Sequence, residues 1–385
     1  MRALAPIVVI APDSFKGSIA ASLASSAIAE GLRRVWPDAD LRLRPMADGG
    51  EGTLDAVLSC GGERLSTGVT GASGESVEAG YGIVDAGKTA IIEAAQIVGL
   101  TDPVGTAIDV ELRSSRGIGE LIVKLLDLGL REFMIGLGGT STNDGGAGML
   151  AALGVQLLDT NGRVVSPTPQ GLDTLASVDA GQLDPRLLQT TITIMSDVDN
   201  VLAGPRGATA IFGPQKGVRA ECIGEVDARL SRFAALVEKA LGKLARDRPG
   251  AGAAGGLGFA LQLLGGETRS GAQVVADLIG LDAALQGALW AITGEGRSDA
   301  QTILGKTALA VANRAAKMKV STTLISSAID RDALPLLTHR FAGCFSITDG
   351  PMSLQDCIAN AGRLLADRSE QIARLVAANL IIRIS

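Results

Sequence analysis

Two aspartates in the segment SDVDN, residues 196–200, have the spacing that metal-assisted or acid–base chemistry needs. Asp197 and Asp199 follow the apolar run TTITIM, and the alternation of side chains along an extended chain would place both carboxylates on one face. Carboxylates and substrate phosphates together suit Mg²⁺, and one aspartate could instead accept the proton of an attacking hydroxyl. We predict both as metal ligands and Asp197 also as a catalytic residue, although solvated aspartates at a strand end would give the same pattern.

A lysine lies in PDSFKGS, residues 12–18, between an apolar run and a helical pattern. The ammonium of Lys16 and the exposed N–H groups of a helix start would both attract anionic oxygens at this point. A turn lysine in water is the ordinary alternative. We predict Lys16 as a catalytic residue that holds phosphate oxygens, and Ser14 as a substrate ligand.

The segment ADGGEGT, residues 47–53, places two carboxylates among three glycines. Glycine lets the backbone come close to a ligand, although an ordinary capped turn explains the segment as well. We predict Gly49, Gly50 and Glu51 as nucleotide-binding residues and Asp48 as a substrate ligand.

A third charged segment, TGEGRSDAQT at residues 293–302, follows the apolar run LWAI and is interpreted as a loop. Arginine can hold a carboxylate or a phosphate through two parallel hydrogen bonds. We predict Arg297 as a ligand of the substrate carboxylate, Glu295 as a nucleotide-binding residue and Asp299 as a third metal ligand.

Amides and a further cation complete the candidate site. FGPQKG supplies Gln215 and Lys216 as predicted nucleotide ligands, and STND supplies Asn143 as a predicted substrate ligand. Each segment is weak evidence by itself. Together they describe a site rich in carboxylates, amides and cations, which is what phosphoryl transfer requires, because positioning and charge stabilisation dominate that reaction.

Two motif matches carry little weight. GAGAAG at 250–255 fits the dinucleotide pattern G-x-G-x-x-G, but it follows ARDRP rather than a strand. Its N–H groups could still approach a phosphate, so we predict Gly252, Gly255 and Gly256 as nucleotide ligands, with close packing as the alternative. LGKT at 304–307 imitates the end of a P-loop, yet the first glycine of that motif would fall on Ala300, so a P-loop is rejected.

Composition excludes several classes of protein. The net charge of -6 argues against nucleic acid as a partner, because neutralising phosphates needs a basic face. The chain has one histidine, His339, which leaves little room for a Ser-His-Asp triad, and four scattered cysteines without C-x-x-C spacing. No run reaches the roughly 18 apolar residues of a membrane span, so we expect a cytoplasmic protein without a membrane partner.

The elements that must position these residues belong to the α/β class. Short β-branched runs at 6–11, 89–94, 132–137, 190–195, 289–293 and 320–326 predict buried strands. A helix capped by Ser18 is predicted to bury Ile19, Leu23, Ala27, Leu32 and Val35 and to end at Pro37. The alternation favours a mostly parallel sheet, whose strand ends carry the polar segments.

The 385 residues exceed what one hydrophobic core usually serves, which predicts two domains. Residues 1–65 and 281–385 are assigned to a Rossmann-like parallel-sheet domain built from both chain ends. Residues 66–280, with denser glycine and fewer regular βα repeats, are assigned to an inserted mixed α/β domain. The active site is expected in the cleft between the two domains.

Three function classes remain open on these residues. A kinase acting on a small hydroxy acid fits the charged segments, and an NAD-dependent hydroxy-acid dehydrogenase fits the Rossmann-like pattern with GAGAAG. A non-catalytic two-lobed protein that binds organic acids would share the α/β lobes. The missing strand before GAGAAG and the crowding of carboxylates favour the kinase.

At seven ordered strings the sequence resembles the bacterial glycerate kinase family: APDSFKGS, PMADGGEGT, GGTSTNDGGAGM, SDVDN, FGPQKG, PGAGAAGGLG and TGEGRSDAQT. The resemblance covers most of the chain. It implies ATP with Mg²⁺ and phosphorylation of D-glycerate, with 2-phosphoglycerate favoured over 3-phosphoglycerate as product. The sequence is compatible with a homodimer but does not determine the oligomeric state.

Three positions depart from the pattern of the family. Ser196 and Val201 stand where a cysteine and a proline often flank the aspartates, and Arg116 stands where an aromatic residue is common. The charged candidate residues are unaffected. The departures leave open a related hydroxy acid as the substrate.

Overall fold

The structure is a computed structural model that describes residues 5–384, with side chains as far as residue 378. The strands of this part of the chain are β1 Ile7–Ile10, β2 Asp40–Leu43, β3 Glu63–Thr70, β4 Ser76–Val84, β5 Thr89–Glu93, β6 Glu132–Gly136, β7 Gln156–Leu158, β8 Ser177–Asp179, β9 Thr191–Met195, β10 Glu267–Arg269, β11 Trp290–Ser298, β12 Ser321–Ile329 and β13 Gly343–Ser346.

The α-helices of the same residues are α1 Ala21–Arg33, α2 Thr53–Leu58, α3 Ala95–Val98, α4 Arg116–Asp127, α5 Ala147–Ala152, α6 Ala208–Lys216, α7 Ile223–Leu241, α8 Leu257–Leu263, α9 Gly271–Leu278, α10 Leu281–Leu285, α11 Thr307–Lys317, α12 Leu334–Thr338, α13 Leu354–Ala359 and α14 Ala361–Ile384. None of these helices combines the length and hydropathy needed to cross a membrane.

The chain divides into two compact units. The first comprises Met1–Asp48, Asp55–Gly61 and Ala272–Ser385, and the second comprises Gly49–Leu54 and Gly62–Gly271. The domain limits at 65 and 281 stay predictions, because a compact unit is not by itself shown to be an independently folding domain.

The first unit is built on a parallel sheet in the order β13-β12-β11-β1-β2. Counted along this unit the order is 2-1-3-4-5, a doubly wound arrangement. The chain therefore leaves β1 and β11, which are neighbours, toward opposite edges of the sheet, and this creates a crevice beyond their carboxyl ends. The predicted Rossmann-like parallel sheet is confirmed.

A hydrophobic core of the first unit is formed by apolar side chains of β1 and β11. One face of α1 and one face of α14 pack into the same core. Trp290 at the start of β11 meets Trp36 edge to face, with ring centroids 6.4 Å apart, and its indole N–H donates to Thr323 at 2.9 Å. Helix α14 packs against α1.

The predicted first helix needs a correction. Ser18 does not cap it, because residues 15–19 form a tight turn closed by Phe15 and Ile19, and α1 begins only at Ala21. Leu23 is 61% exposed instead of buried. Leu32 faces the core as predicted, and Ala24 and Ile28 face it as well.

The second unit carries a mixed sheet in the order β10-β9-β6-β5-β4-β3. Strands β10, β9, β6 and β5 are parallel, whereas β4 is antiparallel to both β5 and β3. Its core is mostly aliphatic, with Tyr81, Phe133, Phe233 and Phe259 as buried aromatic residues. The predicted mixed α/β architecture is confirmed.

Candidate active site

A pocket of about 520 Å³ lies in the first unit at the carboxyl ends of β1 and β11. This is the crevice created by the strand order, which is where open α/β sheets bind ligands. Its lining brings together the predicted residues Ser14, Lys16, Asp48, Glu295, Arg297 and Asp299, with Asp13, Lys306 and Thr307 beside them.

Backbone hydrogen bonds continue past the end of β1 and position the start of the PDSFKGS segment. The N–H groups of Ala11 and Asp13 donate to carbonyls of β11, the latter to Gly294 at 2.8 Å. Phe15 is buried beneath the turn, and Gly296 lies so close to the backbone of residues 15 and 16 that a larger residue would crowd it. Asp13 and Lys16 are therefore held at the pocket by the sheet itself.

Solvent-facing cations surround the pocket, each near a carboxylate. Lys16 Nζ lies 3.6 Å from Asp48, and Lys306 Nζ lies 3.9 Å from Asp299. The guanidinium of Arg297 lies 3.7 Å from Asp330. Exposed ion pairs at such distances contribute little free energy, so an anionic ligand can replace them at small cost.

The structure corrects the loop predicted for TGEGRSDAQT. Strand β11 runs on to Ser298, so Glu295 and Arg297 lie on a strand paired with β12. Glu295 is buried, and its Oε1 accepts hydroxyl hydrogen bonds from Ser298 at 2.8 Å and Thr302 at 2.6 Å. Asp299 caps the 3-10 helix Ala300–Ile303 by accepting from the N–H of Gln301.

Asp13 is the carboxylate of this pocket whose environment is most perturbed. Burial, helped by the negative charge of Asp48, raises its pKa to about 6. The hydroxyl of Thr307 donates to Oδ2 at 2.8 Å and the N–H of Ser14 donates to Oδ1 at 2.6 Å, and both bonds oppose that rise. The carboxyl can thus change its protonation near neutral pH.

In the second unit, Lys216 at the end of α6 is buried rather than solvated. Its Nζ donates to the carbonyl of Thr142 at 2.8 Å and to the hydroxyl of Thr140 at 3.3 Å. Burial lowers the pKa of this amine to about 7, opposed by the charge of Asp144.

Asn143 is also fully buried, next to the lysine's partner Thr142. Its Nδ2 donates to Thr209 at 3.0 Å, whereas Oδ1 has no hydrogen-bond partner among residues 5–384. A buried amide oxygen left unpaired costs free energy that a ligand's donor would recover. The roles predicted for Asn143 and Lys216 stay predictions, but an unsatisfied acceptor fits a binding site.

Asp144 shows why this polar loop holds its shape. Burial raises its pKa, and four donors oppose the rise: the N–H and hydroxyl of Ser115 at 2.8 and 2.7 Å, and the N–H groups of Gly146 and Gly148. These bonds tie the loop after β6 to the start of α4 and to α5. The carboxylate of Asp144 therefore has a structural role.

The glycines of GAGAAG pack closely against other backbone segments of the second unit. Gly255 and Gly256 have φ of +66° and +96°, and a side chain there would collide with the backbone of Thr142 and Gly145. Gly252 packs in the same way against the carbonyl of Val201. Close packing accounts for these residues, and their predicted contact with phosphate stays a prediction.

The ADGGEGT segment is anchored by a carboxylate of β5. Glu93 accepts from the N–H groups of Gly52 and Leu54, both at 3.1 Å. Gly49 is buried, with φ of +90°, and its carbonyl accepts from Gly138 at 3.2 Å. Gly50 is buried as well, and Glu51 and Gln215 are exposed. The ligand contacts predicted for Gly49, Gly50, Glu51 and Gln215 stay predictions.

The SDVDN segment lies beyond β9, which ends at Met195, so the strand geometry expected for its aspartates is wrong. Asp197 and Asp199 are both exposed, and Asp197 Oδ1 accepts from the N–H of Gly271 at 3.2 Å. Within the described residues no group of three or more carboxylate, histidine or cysteine side chains could hold a metal alone. The metal roles of these two residues and of Asp299 stay predictions.

The family model described as Glycerate kinase family matches residues 8–377. The chain belongs to the glycerate kinase family. It is therefore an enzyme of the kinase class, a phosphotransferase with an alcohol group as acceptor.

Relatives agree with this assignment over nearly their whole length. The chain is 42% identical to a glycerate kinase of Bacillus subtilis, with 97% of each chain covered. It is also 42% identical to a glycerate 2-kinase of Escherichia coli, covering 96% of this chain and 98% of that one. A crystal structure assigned to glycerate kinase 2 of Salmonella typhimurium LT2 superposes with a TM-score of 0.85 at 40% identity, covering 98% and 99% of the two chains.

The pocket residues that sequence reasoning missed include Asp13, Lys306 and Thr307. Asp13 stands within PDSFKGS, where Lys16 and Ser14 drew the prediction. Lys306 and Thr307 belong to LGKT, which was rejected as a P-loop, yet they line the pocket at the start of α11. One signal in the sequence could have found this part of the pocket. Thr307 is a hydroxyl residue at the first position of a helix, α11, and the preceding strand β11 carries charged residues near its end.

Proposed function

We propose that this enzyme transfers the γ-phosphoryl group of ATP to the 2-hydroxyl of D-glycerate and releases 2-phosphoglycerate and ADP. The observation that carries the proposal is the pocket of the first unit, where Lys16, Arg297 and Lys306 face solvent beside acidic side chains at the ends of parallel strands. Phosphoryl transfer depends on cations that hold spread negative charge, and no histidine is needed for it.

The choice of the 2-hydroxyl is supported by one relative, the protein of Escherichia coli named glycerate 2-kinase. The choice of glycerate is supported by the family and by the names of the relatives. Because Ser196, Val201 and Arg116 lie outside the pocket lining of the first unit, they give no reason there to prefer another hydroxy acid.

Within that pocket we assign Lys16 to phosphate oxygens and Arg297 to the carboxylate of glycerate. Both side chains are exposed, Lys16 with Asp48 at 3.6 Å and Arg297 with Asp330 at 3.7 Å, so an anion can reach them from solvent. A planar guanidinium matches a carboxylate with two hydrogen bonds, whereas an ammonium acts as a compact charge for phosphate. Ser14 and Asp48 line the same pocket and are assigned to the hydroxyl groups of the substrate.

In the second unit we assign Lys216, Gln215, Asn143 and the glycine segments to nucleotide and substrate contacts. The support is the unpaired Oδ1 of buried Asn143 and the unpaired Oγ1 of Thr142 among the described residues. Groups buried without a partner are uncommon in folded proteins. Such groups are expected where a ligand completes the hydrogen bonds.

Magnesium fits this chain as a companion of the nucleotide. Mg²⁺ is usually held by one or two carboxylates together with substrate phosphates, and Asp197 with Asp199 offers such a pair. We propose these two as its protein ligands. When bound, the ion would neutralise charge on the phosphates.

The rival functions are disfavoured by particular observations. GAGAAG lies in a 3-10 turn, Ala253–Gly256, before α8 and does not follow a strand, so the context of a dinucleotide-binding motif is missing. A plain binding protein would not account for membership in a kinase family.

The direct experiment measures ADP release from ATP and Mg²⁺ with D-glycerate as acceptor, with the product identified by ³¹P NMR. Glycerate-dependent turnover with a signal of 2-phosphoglycerate is expected. A signal of 3-phosphoglycerate would reassign the hydroxyl. Well-folded protein without turnover on glycerate would refute the substrate assignment and direct the search to other hydroxy acids. The cytoplasmic location and the homodimer stay predictions.

A further inference from the structure

We propose that Asp13 is a catalytic residue, the general base that accepts the proton of the glycerate hydroxyl during phosphoryl transfer. The inference rests on the proposed function. It adds a role for a residue that lines the first unit's pocket and contacts Thr307 at the start of α11.

The geometry of Asp13 suits a base. The backbone bond to Gly294 fixes its main chain, and the hydroxyl of Thr307 fixes Oδ2 at 2.8 Å. Each carboxylate oxygen has one protein donor, so acceptor capacity remains on both for a substrate hydroxyl. A base must be held in place while keeping a lone pair toward the substrate.

The other carboxylates of the pocket are occupied. Glu295 accepts from two hydroxyl groups and is buried, and Asp299 caps a 3-10 helix. Asp48 lies opposite the ammonium of Lys16. Asp13 accepts as many hydrogen bonds as Glu295, but among the described residues no ammonium lies within ion-pair distance of it and it caps no helix.

The charged surroundings give Asp13 a proton affinity that suits this work. Burial and the negative charge of Asp48 raise its pKa to about 6, while Thr307, Ser14 and Lys16 lower it. At pH 7.5 the group is therefore mostly ionised, yet it is more basic than an ordinary aspartate. The remaining charged groups that line the pocket are Glu295, Arg297, Asp299 and Lys306.

The hydroxyl proton of glycerate passes to a carboxylate oxygen of Asp13, and the hydroxyl oxygen forms a bond to the γ-phosphorus of ATP. The bond from the γ-phosphorus to the bridging oxygen breaks, and ADP leaves with that electron pair. Asp13 then releases the proton to solvent. Two roles were predicted for Asp197, catalytic residue and metal ligand. With Asp13 as the base, Asp197 keeps the role of Mg²⁺ ligand.

The first test compares Asp13→Asn with the wild type. General acid–base catalysis contributes about 10²–10⁴-fold, so we expect kcat to fall by that factor with little change in the KM for glycerate. Asp38→Asn, an exposed aspartate of the same unit outside the pocket lining, is the matched control and should keep full activity. Far-UV circular dichroism checks folding.

The second test uses the pH dependence of kcat/KM, which reports the pKa of the free enzyme's base. The wild type should lose activity as the pH falls through about 6. Thr307→Val removes a donor that stabilises the carboxylate, so the acidic limb should move to higher pH. Asp48→Asn removes a negative charge that raises the pKa, so the limb should move to lower pH.

The acidic limb should move to higher pH in Thr307→Val and to lower pH in Asp48→Asn. These opposite shifts distinguish a base from a structural residue, because a loss of packing would not move the limb in a defined direction. Titration of nucleotide phosphate near pH 6 is common to all variants and cannot produce them. Wild-type turnover with full kcat in Asp13→Asn would overturn the inference, as would identical limbs in the other two variants. Absence of wild-type turnover on glycerate would instead count against the proposed function.

Discussion

Replacing Lys216 by methionine should change how the stability of the protein depends on pH. Methionine has a similar length and no charge, so the substitution removes the buried amine while largely filling its volume. In the folded chain burial lowers the pKa of Lys216 from 10.5 to about 7. The unfolded chain keeps the ordinary value and holds a proton that the folded chain has released.

The sign and size follow from proton linkage. Between pH 7 and 10 the unfolded state binds more protons at this lysine, so the free energy of unfolding rises with pH. One pH unit corresponds to about 1.4 kcal/mol, and the full difference between the two pKa values corresponds to about 5 kcal/mol. With the onset near pH 7, the wild type should gain about 2 kcal/mol over Lys216→Met between pH 7 and 9.

Urea unfolding followed by far-UV circular dichroism at several pH values measures this difference. The hydrogen bonds of Lys216 to Thr142 and Thr140 are lost in the variant, which adds a constant offset but no slope. Lys88→Met, at an exposed lysine of the same unit, serves as the control and should give a flat difference. A flat difference for Lys216→Met as well would refute the argument that burial keeps this amine neutral.

Three further variants test the site and the core. Arg297→Ala should raise the KM for glycerate about 10- to 100-fold, because a charge-assisted hydrogen bond contributes roughly 1.5–3 kcal/mol; an unaltered KM in initial-rate assays would move carboxylate recognition elsewhere. Asp197→Asn, which removes a proposed carboxylate ligand of Mg²⁺, should lower activity at fixed Mg²⁺ by at least about 10-fold, and normal turnover in folded protein would remove that role. Phe259→Ala, which loses a fully buried ring and its edge contact with Phe233 at 6.3 Å, should lose about 3–5 kcal/mol in urea unfolding, and a loss below about 1 kcal/mol would contradict its burial.

Local patterns located six of the strands in the described residues, β1, β5, β6, β9, β11 and β12. The runs at 6–11 and 190–195 became β1 and β9 within a residue or two, because β-branched side chains buried on both faces leave few other structures open. The first helix was displaced because a tight turn at residues 15–19 consumes the segment that seemed to start it.

The candidate site was only partly accessible to sequence reasoning. Lys16 and Arg297 were found because their glycine-rich, charged segments are unusual, and the structure brings both to one pocket. Asp13 was missed because its environment depends on Thr307, 294 residues away along the chain. The same holds for Lys216, whose burial depends on partners more than 70 residues distant. Contacts of that range follow from topology, which no local pattern encodes.

The edge-to-face pair of Trp36 and Trp290 has a spectroscopic consequence. The sequence contains two tryptophans; Trp290 lies in the core of the first unit and Trp36, partly buried, packs against that core. Intrinsic tryptophan fluorescence will therefore report on the unfolding of the first unit. The second unit holds the single tyrosine, Tyr81, and its unfolding will change the tryptophan emission very little. Emission and ellipticity recorded side by side would separate the melting of the two units without any added label.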